Sequence, residues 1–133
     1  MLNPFPHLFE FSFFAPTLLR VAVAVLFAYH AQHTFKTHST FANTRLPIIG
    51  KPGIVLVYVI TIAYTILAAM LFFGWYTQIA AIVGGIAMLK HAWFAREYKL
   101  YSPLSRSAYL LAAVMCISLL VTGAGALAMD LPL

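Results

Sequence analysis

Acidic residues are nearly missing from this chain: 133 residues hold only Glu10, Glu97 and Asp130, against eight Lys and Arg. Paired carboxylates, a nucleophile–base pair and a phosphate-binding loop are all lacking, which leaves turnover by this chain alone the least supported reading. No Asp or Glu falls near the middle of an apolar segment, where a coupled transporter generally places one. Cysteine is equally scarce. Cys116 stands alone, which excludes an intramolecular disulfide and with it the disulfide-generating four-helix quinone enzymes, because those need Cys pairs.

Charge of either sign is rare at 8%, while 63% of residues are hydrophobic and mean hydropathy reaches +0.93. That balance lies far from a soluble domain and points to a membrane protein. Crossing the hydrocarbon core takes about 20 apolar residues per helix. Four segments supply them: Pro16–Phe35, Gly53–Phe73, Trp75–Phe94 and Ser107–Met129. The expected fold is therefore all-α, an integral membrane four-helix antiparallel bundle forming a single transmembrane domain over residues 1–133. The leading MLNPFPHLFEFSFF has Glu10 and no Lys or Arg, unlike a signal peptide, so the first segment is expected to remain as a permanent helix.

A net charge of +5 in a soluble protein would raise the question of nucleic acid. Its distribution gives another explanation, and no nucleic-acid partner is expected. Lys36, Arg45 and Lys51 fall in the first loop; Arg96, Lys99 and Arg106 fall in the third. Short loops rich in Lys and Arg stay cytoplasmic. Loops 36–52 and 95–106 are thus expected inside, both termini outside, in a multi-pass inner-membrane protein with the lipid bilayer as its first partner.

Pro16 suits the first turn of a helix, where its missing N–H costs nothing. Phe11, Phe13 and Phe14 before it fit an interfacial aromatic belt. HSTFANTRLPIIGKPG reads as an irregular loop, FFGWYTQ as a tight hairpin with Trp75 and Tyr76 as anchors, and Tyr98 and Tyr101 as further anchors in the third loop. Ala80/Gly84 and Ala81/Gly85, with Ala112/Cys116, Gly123 and Gly125 on the last segment, mark close helix contacts.

Polar groups inside a membrane span face the interior or reach for the surface. Arg20 lies about one turn past Pro16, roughly 6 Å along the axis. It is expected either to pair with Asp130, tying the first helix to the last, or to snorkel outward. Tyr58, Thr61, Tyr64 and Thr65 form a stripe expected to look inward, as hydrogen bonds across helices or back to their own backbone, or as a polar wall for a small ligand. FAYHAQHTF, from Phe27 to Phe35, puts His30 and His33 on one helix face, and antiparallel order brings His91, beside a snorkelling Lys90, to a similar depth. Three roles stay open for these histidines: interfacial or structural, hydrogen bonding to a quinone-like headgroup, or ligation of a metal or haem by His30, His33 and His91.

RVAVAVLFAYHAQHTFK resembles the first-helix signature of the DoxX-like (DoxX/DoxD) family of small four-helix membrane proteins, with Arg20, Phe27, His30 and Lys36 on its positions. GWYTQIAAIVGG is similar to the family's Gly-x-x-Thr-Arg hairpin, Gln78 replacing the base. GAGALAMD follows the closing Gly-Pro-Gly-Arg-aromatic-Ser-Leu-Asp through Gly123, Gly125 and Asp130, with Ala124, Ala126 and Ala128 in place of Pro, Arg and Ser. Tyr64 stands where family members often carry Glu. Relatives include the membrane subunit of a thiosulfate:quinone oxidoreductase and members of oxidative-stress complexes. The resemblance implies an accessory or anchor subunit of a membrane-associated, quinone-linked oxidoreductase system, non-catalytic by itself and bound to a protein partner of a redox complex. On this reading His30, His91 and Tyr64 hold a quinone-like ligand; haem or metal is the lesser alternative. A small solute carrier and a structural assembly protein, whose cationic loops hold a partner or anionic lipid, are the competing functions.

Overall fold

The computed structural model describes residues 14–43, 52–95, 102–125 and 128–129. Among them all regular structure is helical: α1 (Ala15–Lys36), α2 (His38–Asn43), α3 (Gly53–Phe73), α4 (Thr77–Phe94) and α5 (Arg106–Thr122). Pro16 occupies the first turn of α1, and the Thr37 N–H closes its last turn on the His33 carbonyl at 3.0 Å. Ser105 caps α5, its Oγ accepting the Ala108 N–H at 3.3 Å. Gly74 ends α3 at φ 67°, a left-handed position that glycine adopts without steric cost.

The four long helices share one apolar core that includes Val23, Phe27, Leu67, Leu71, Met88 and Leu119. α1 packs mainly on α3 and α4 mainly on α5, with lesser α1–α5 and α3–α4 contacts. Small residues set the spacing. A Cβ on Gly84 would stand 3.0 Å from the Phe27 ring and 3.6 Å from Cys116 Sγ, so the bare glycine leaves room on α4 for the Phe27 ring of α1 beside the Cys116 side chain of α5.

The structure departs from the sequence expectations at three places. A short helix, α2, forms within the segment read as irregular, where Phe41 is buried and His38 stacks on Tyr58, so that the helix lies on α3. The third long helix starts at Thr77 instead of Trp75, because Tyr76 takes a left-handed φ of 47° to turn the chain. The last helix stops at Thr122 instead of Met129, because Gly123 and Gly125 carry φ of 78° and 73°.

Among the described residues, Gly53–Phe73 is the one helix long and apolar enough to cross a membrane by length and composition. α5 is apolar but shorter. α1 and α4 are interrupted by polar residues, and several of those, Arg20, His30, Thr34, Thr77 and His91, are the ones the fold buries. Hydropathy therefore counts against α1 and α4 side chains that do not face outward.

Candidate functional site

Four rings, one from each long helix, meet near the ends of α1 and α4 and the start of α5. His30 comes from α1, Tyr64 from α3, His91 from α4 and Tyr109 from α5; all are buried. His30 and His91 stack with centroids 4.7 Å apart and planes 29° apart. Tyr109 lies 5.3 Å from each histidine, and Tyr64 lies 6.0 Å from His30 and 5.7 Å from His91. Phe27, one turn before His30, packs on Tyr64 at 5.9 Å and closes the apolar side.

Hydrogen bonding fixes His91 through both nitrogens. Ser102 Oγ donates to the His91 carbonyl at 3.2 Å, so it accepts from His91 Nδ1 at 3.2 Å. A neutral imidazole protonated at Nδ1 presents a lone pair at Nε2. The Tyr64 hydroxyl therefore donates to His91 Nε2, at 2.6 Å. Tyr109 is held differently: its hydroxyl oxygen accepts the Leu104 N–H at 3.2 Å. His30 Nε2 is buried and, among the described residues, has no hydrogen-bond partner. That is the one side-chain nitrogen of the ring cluster left in this condition, and burying it so is costly.

The structure thus brings together His30, His91 and Tyr64, the three residues selected from sequence, and adds Tyr109 and Ser102. A tyrosine four residues ahead of the Ala113 and three ahead of Ala112, on the small-residue face of α5, was the available signal for Tyr109. Ser102 sits outside any helix and offered none. His33 is half-buried and meets Tyr29 at 6.4 Å. Among the described residues no group of three His, Cys, Asp or Glu could hold a metal ion.

The inward face expected for the stripe on α3 is corrected, while the bonding of its threonines back to their own backbone is as expected. Only Tyr64 is buried; Thr61 and Thr65 bond back to the Val57 and Thr61 carbonyls at 2.9 Å, and Tyr58 is exposed, stacked on His38 at 5.9 Å. Tyr64 shares its helix face with Val57, Leu67 and Leu71, positions seven before, three after and seven after it. Lys90 is exposed beside buried His91.

At the opposite end, Arg20 is 2% exposed and donates from its guanidinium to the Ala124 carbonyl at 2.9 Å. Asp130, its expected partner, lies outside the described residues. Arg20 does not snorkel: the segment after α5 folds over it. A Cβ on Gly74 would strike the Arg20 guanidinium and come within 2.7 Å of Ala128 Cβ; one on Gly125 would come within 2.9 Å of Pro16 and Thr17. The Met129 N–H reaches the Phe73 carbonyl at 3.3 Å.

No curated protein and no solved structure gives a significant match to the chain. The DoxX family model does match, over residues 15–97. That span runs from the first turn of α1 past the end of α4 and includes Arg20, His30, Tyr64, Gly74 and His91. Covering more than half of the sequence, it shows that the chain belongs to the DoxX family.

Proposed function

We propose that this chain is an integral membrane subunit, non-catalytic by itself, of a quinone-linked redox system, and that the ring cluster receives a quinone-type headgroup. Its four long helices lie in the bilayer as an antiparallel bundle. The outward-facing residues support this: Leu18 and Val25 on α1, Val55 and Ile62 on α3, Ile82 and Ile86 on α4, and Leu111, Val114 and Val121 on α5 are large, apolar and exposed. So wide an apolar surface on every long helix suits lipid. With the cationic loops 36–52 and 95–106 on the cytoplasmic side, the ring cluster lies toward the cytoplasm and the Arg20 end toward the outside.

The observation that carries the ligand reading is His30 Nε2, buried among aromatic rings without a partner. A cofactor headgroup with a planar ring and an oxygen suits those residues: His30 Nε2 is a hydrogen-bonding atom still to be matched, and the neighbouring rings supply stacking area. A bound quinone supplies two-electron carrier chemistry. The chain's own contribution is to bind and orient it. His91, held by Tyr64 and Ser102, keeps the stacked imidazole of His30 in place.

Gentle-detergent purification followed by titration with a fluorescent quinone analogue tests the proposal. Saturable binding that disappears in His30→Ala is the expected result, with a redox protein co-purifying from the same preparation. Absence of binding at any accessible concentration would remove the ligand reading, and a Soret band in the visible spectrum would replace it with haem.

A further inference from the structure

The long helices bury matching positions two by two. With His30 of α1 set against His91 of α4, Val23, Ala24, Phe27 and Ala31 fall on Gly84, Gly85, Met88 and Ala92, and every one of these residues is buried. With Tyr64 of α3 set against Tyr109 of α5, Val57, Leu67 and Leu71 fall on Ser102, Ala112 and Cys116, again all buried. Direction and packing agree. The start of α1 meets the ends of α3 and α5 at Arg20, so α1 runs parallel to α4 and antiparallel to the other two. The major contacts, α1 with α3 and α4 with α5, correspond to each other, as do the lesser contacts α1–α5 and α3–α4. Both relations are those of an approximate two-fold axis along the helices, with the His30–His91 stack across it. Parallel repeats of this kind in membrane proteins place their ligand sites at the repeat interface.

The axis is broken in the bonding of the two histidines: Ser102, which bonds His91, is matched by Val57, and the bond from Tyr64 to His91 has no counterpart. The axis carries the Tyr64–His91 bond onto a bond between the Tyr109 hydroxyl and His30 Nε2. The rings are near enough for one, at 5.3 Å against 5.7 Å for Tyr64 and His91. Yet the Tyr109 hydroxyl is engaged at the Leu104 N–H, and His30 Nε2 has no partner. His91 shows what its counterpart is shaped to accept: a phenol O–H, directed at an imidazole lone pair between aromatic rings.

We infer that the chain is an internal pair of helix hairpins, α1/α3 and α4/α5, and that His30 Nε2 is the docking atom for a ligand hydroxyl, the counterpart of the Tyr64 phenol at His91. The inference rests on the quinone-type reading above and narrows it. The inference includes the tautomer of His30, with its proton on Nδ1 and its lone pair on Nε2; in that state the site selects the reduced, phenol-like headgroup over the oxidised dicarbonyl, because a carbonyl oxygen has no proton to offer a lone pair, and an unmatched buried acceptor discriminates strongly.

Full-length protein in nanodiscs, labelled with 15N-histidine, is titrated under argon with trimethylhydroquinone and, separately, with trimethylbenzoquinone. The hydroquinone is expected to bind at least about tenfold tighter and to move the His30 Nε2 resonance in the direction of an accepted hydrogen bond. In His30→Phe that binding is lost. Equal or tighter binding of the benzoquinone overturns the selectivity and leaves the quinone-type reading standing; binding of neither overturns both. If His30→Phe does not fold, the wild-type resonance decides, since a His30 Nε2 signal that stays in place while the hydroquinone binds overturns the docking atom.

Discussion

The two ends of the helix assembly are closed by different chemistry. At the Arg20 end, among the described residues, the contacts include several to backbone: a guanidinium on the Ala124 carbonyl, the Met129 N–H on the Phe73 carbonyl, and two glycines, Gly74 and Gly125, pressed against neighbouring elements. At the histidine end they run between side chains: His30, Tyr64, His91, Tyr109 and Ser102 hold one another by stacking and hydroxyl–imidazole bonds. A backbone closure tolerates little added volume and offers little chemistry. A side-chain closure can carry a hydrogen-bonding group beyond what the fold uses, and His30 Nε2 is such a group.

The contrast predicts large stability losses at the Arg20 end and smaller ones, coupled to ligand binding, at the histidine end. Gly74→Val is expected to cost about 3 kcal/mol or more, since it combines a left-handed φ with a collision against Arg20 and Ala128. A melting temperature in detergent close to that of the unmodified protein would refute the tight closure. Arg20→Met is expected to cost about 2 kcal/mol by stranding the Ala124 carbonyl. Amide hydrogen exchange at Gly123 to Gly125 should speed up while that at the start of α5 does not; uniform acceleration would mean that Arg20 holds the whole fold instead of the returning segment.

Tyr64→Phe keeps its ring and removes the donor to His91, at an expected cost of about 1–2 kcal/mol. Its histidine 15N spectrum should show a changed Nε2 environment at His91, and an unaltered spectrum would contradict the hydrogen bond assigned to this pair. Smallest of all is His30→Phe. Because Nε2 makes no hydrogen bond and the ring is replaced by a ring, the change should stay within about 1 kcal/mol. Quinone-analogue binding is nevertheless expected to vanish. A large stability loss there would make His30 a structural member of the core and erase the contrast between the ends.

Much of the histidine end was legible before folding. His30, His91 and Tyr64 stood out because polar residues within apolar helices need interior partners, and antiparallel order set His30 and His91 at one depth. Rotation about each helix axis was not legible. It decided that Tyr64 alone, of the four polar residues on α3, turns inward, and that Tyr109 completes the ring set. Arg20 shows the same boundary. Its depth raised the choice between pairing and snorkelling; the fold buries it and brings the Ala124 carbonyl over it past Gly123, while Asp130 lies outside the described residues.

The sequence by itself determined the helical class, the extents of the apolar segments to within a turn or so for three of the four, and the family signature. Each depends on local composition, on spacing along one chain, or on the positions of Pro and Gly. Only the tertiary structure decided that α1 and α4 bury equivalent faces, that two histidines stack across an approximate axis, and that one has a phenol for a partner while the other has none. Those outcomes depend on how helices distant in sequence are rotated and spaced, and in this chain glycine and alanine at the contacts set that spacing, with identities that say nothing of what the approach brings together.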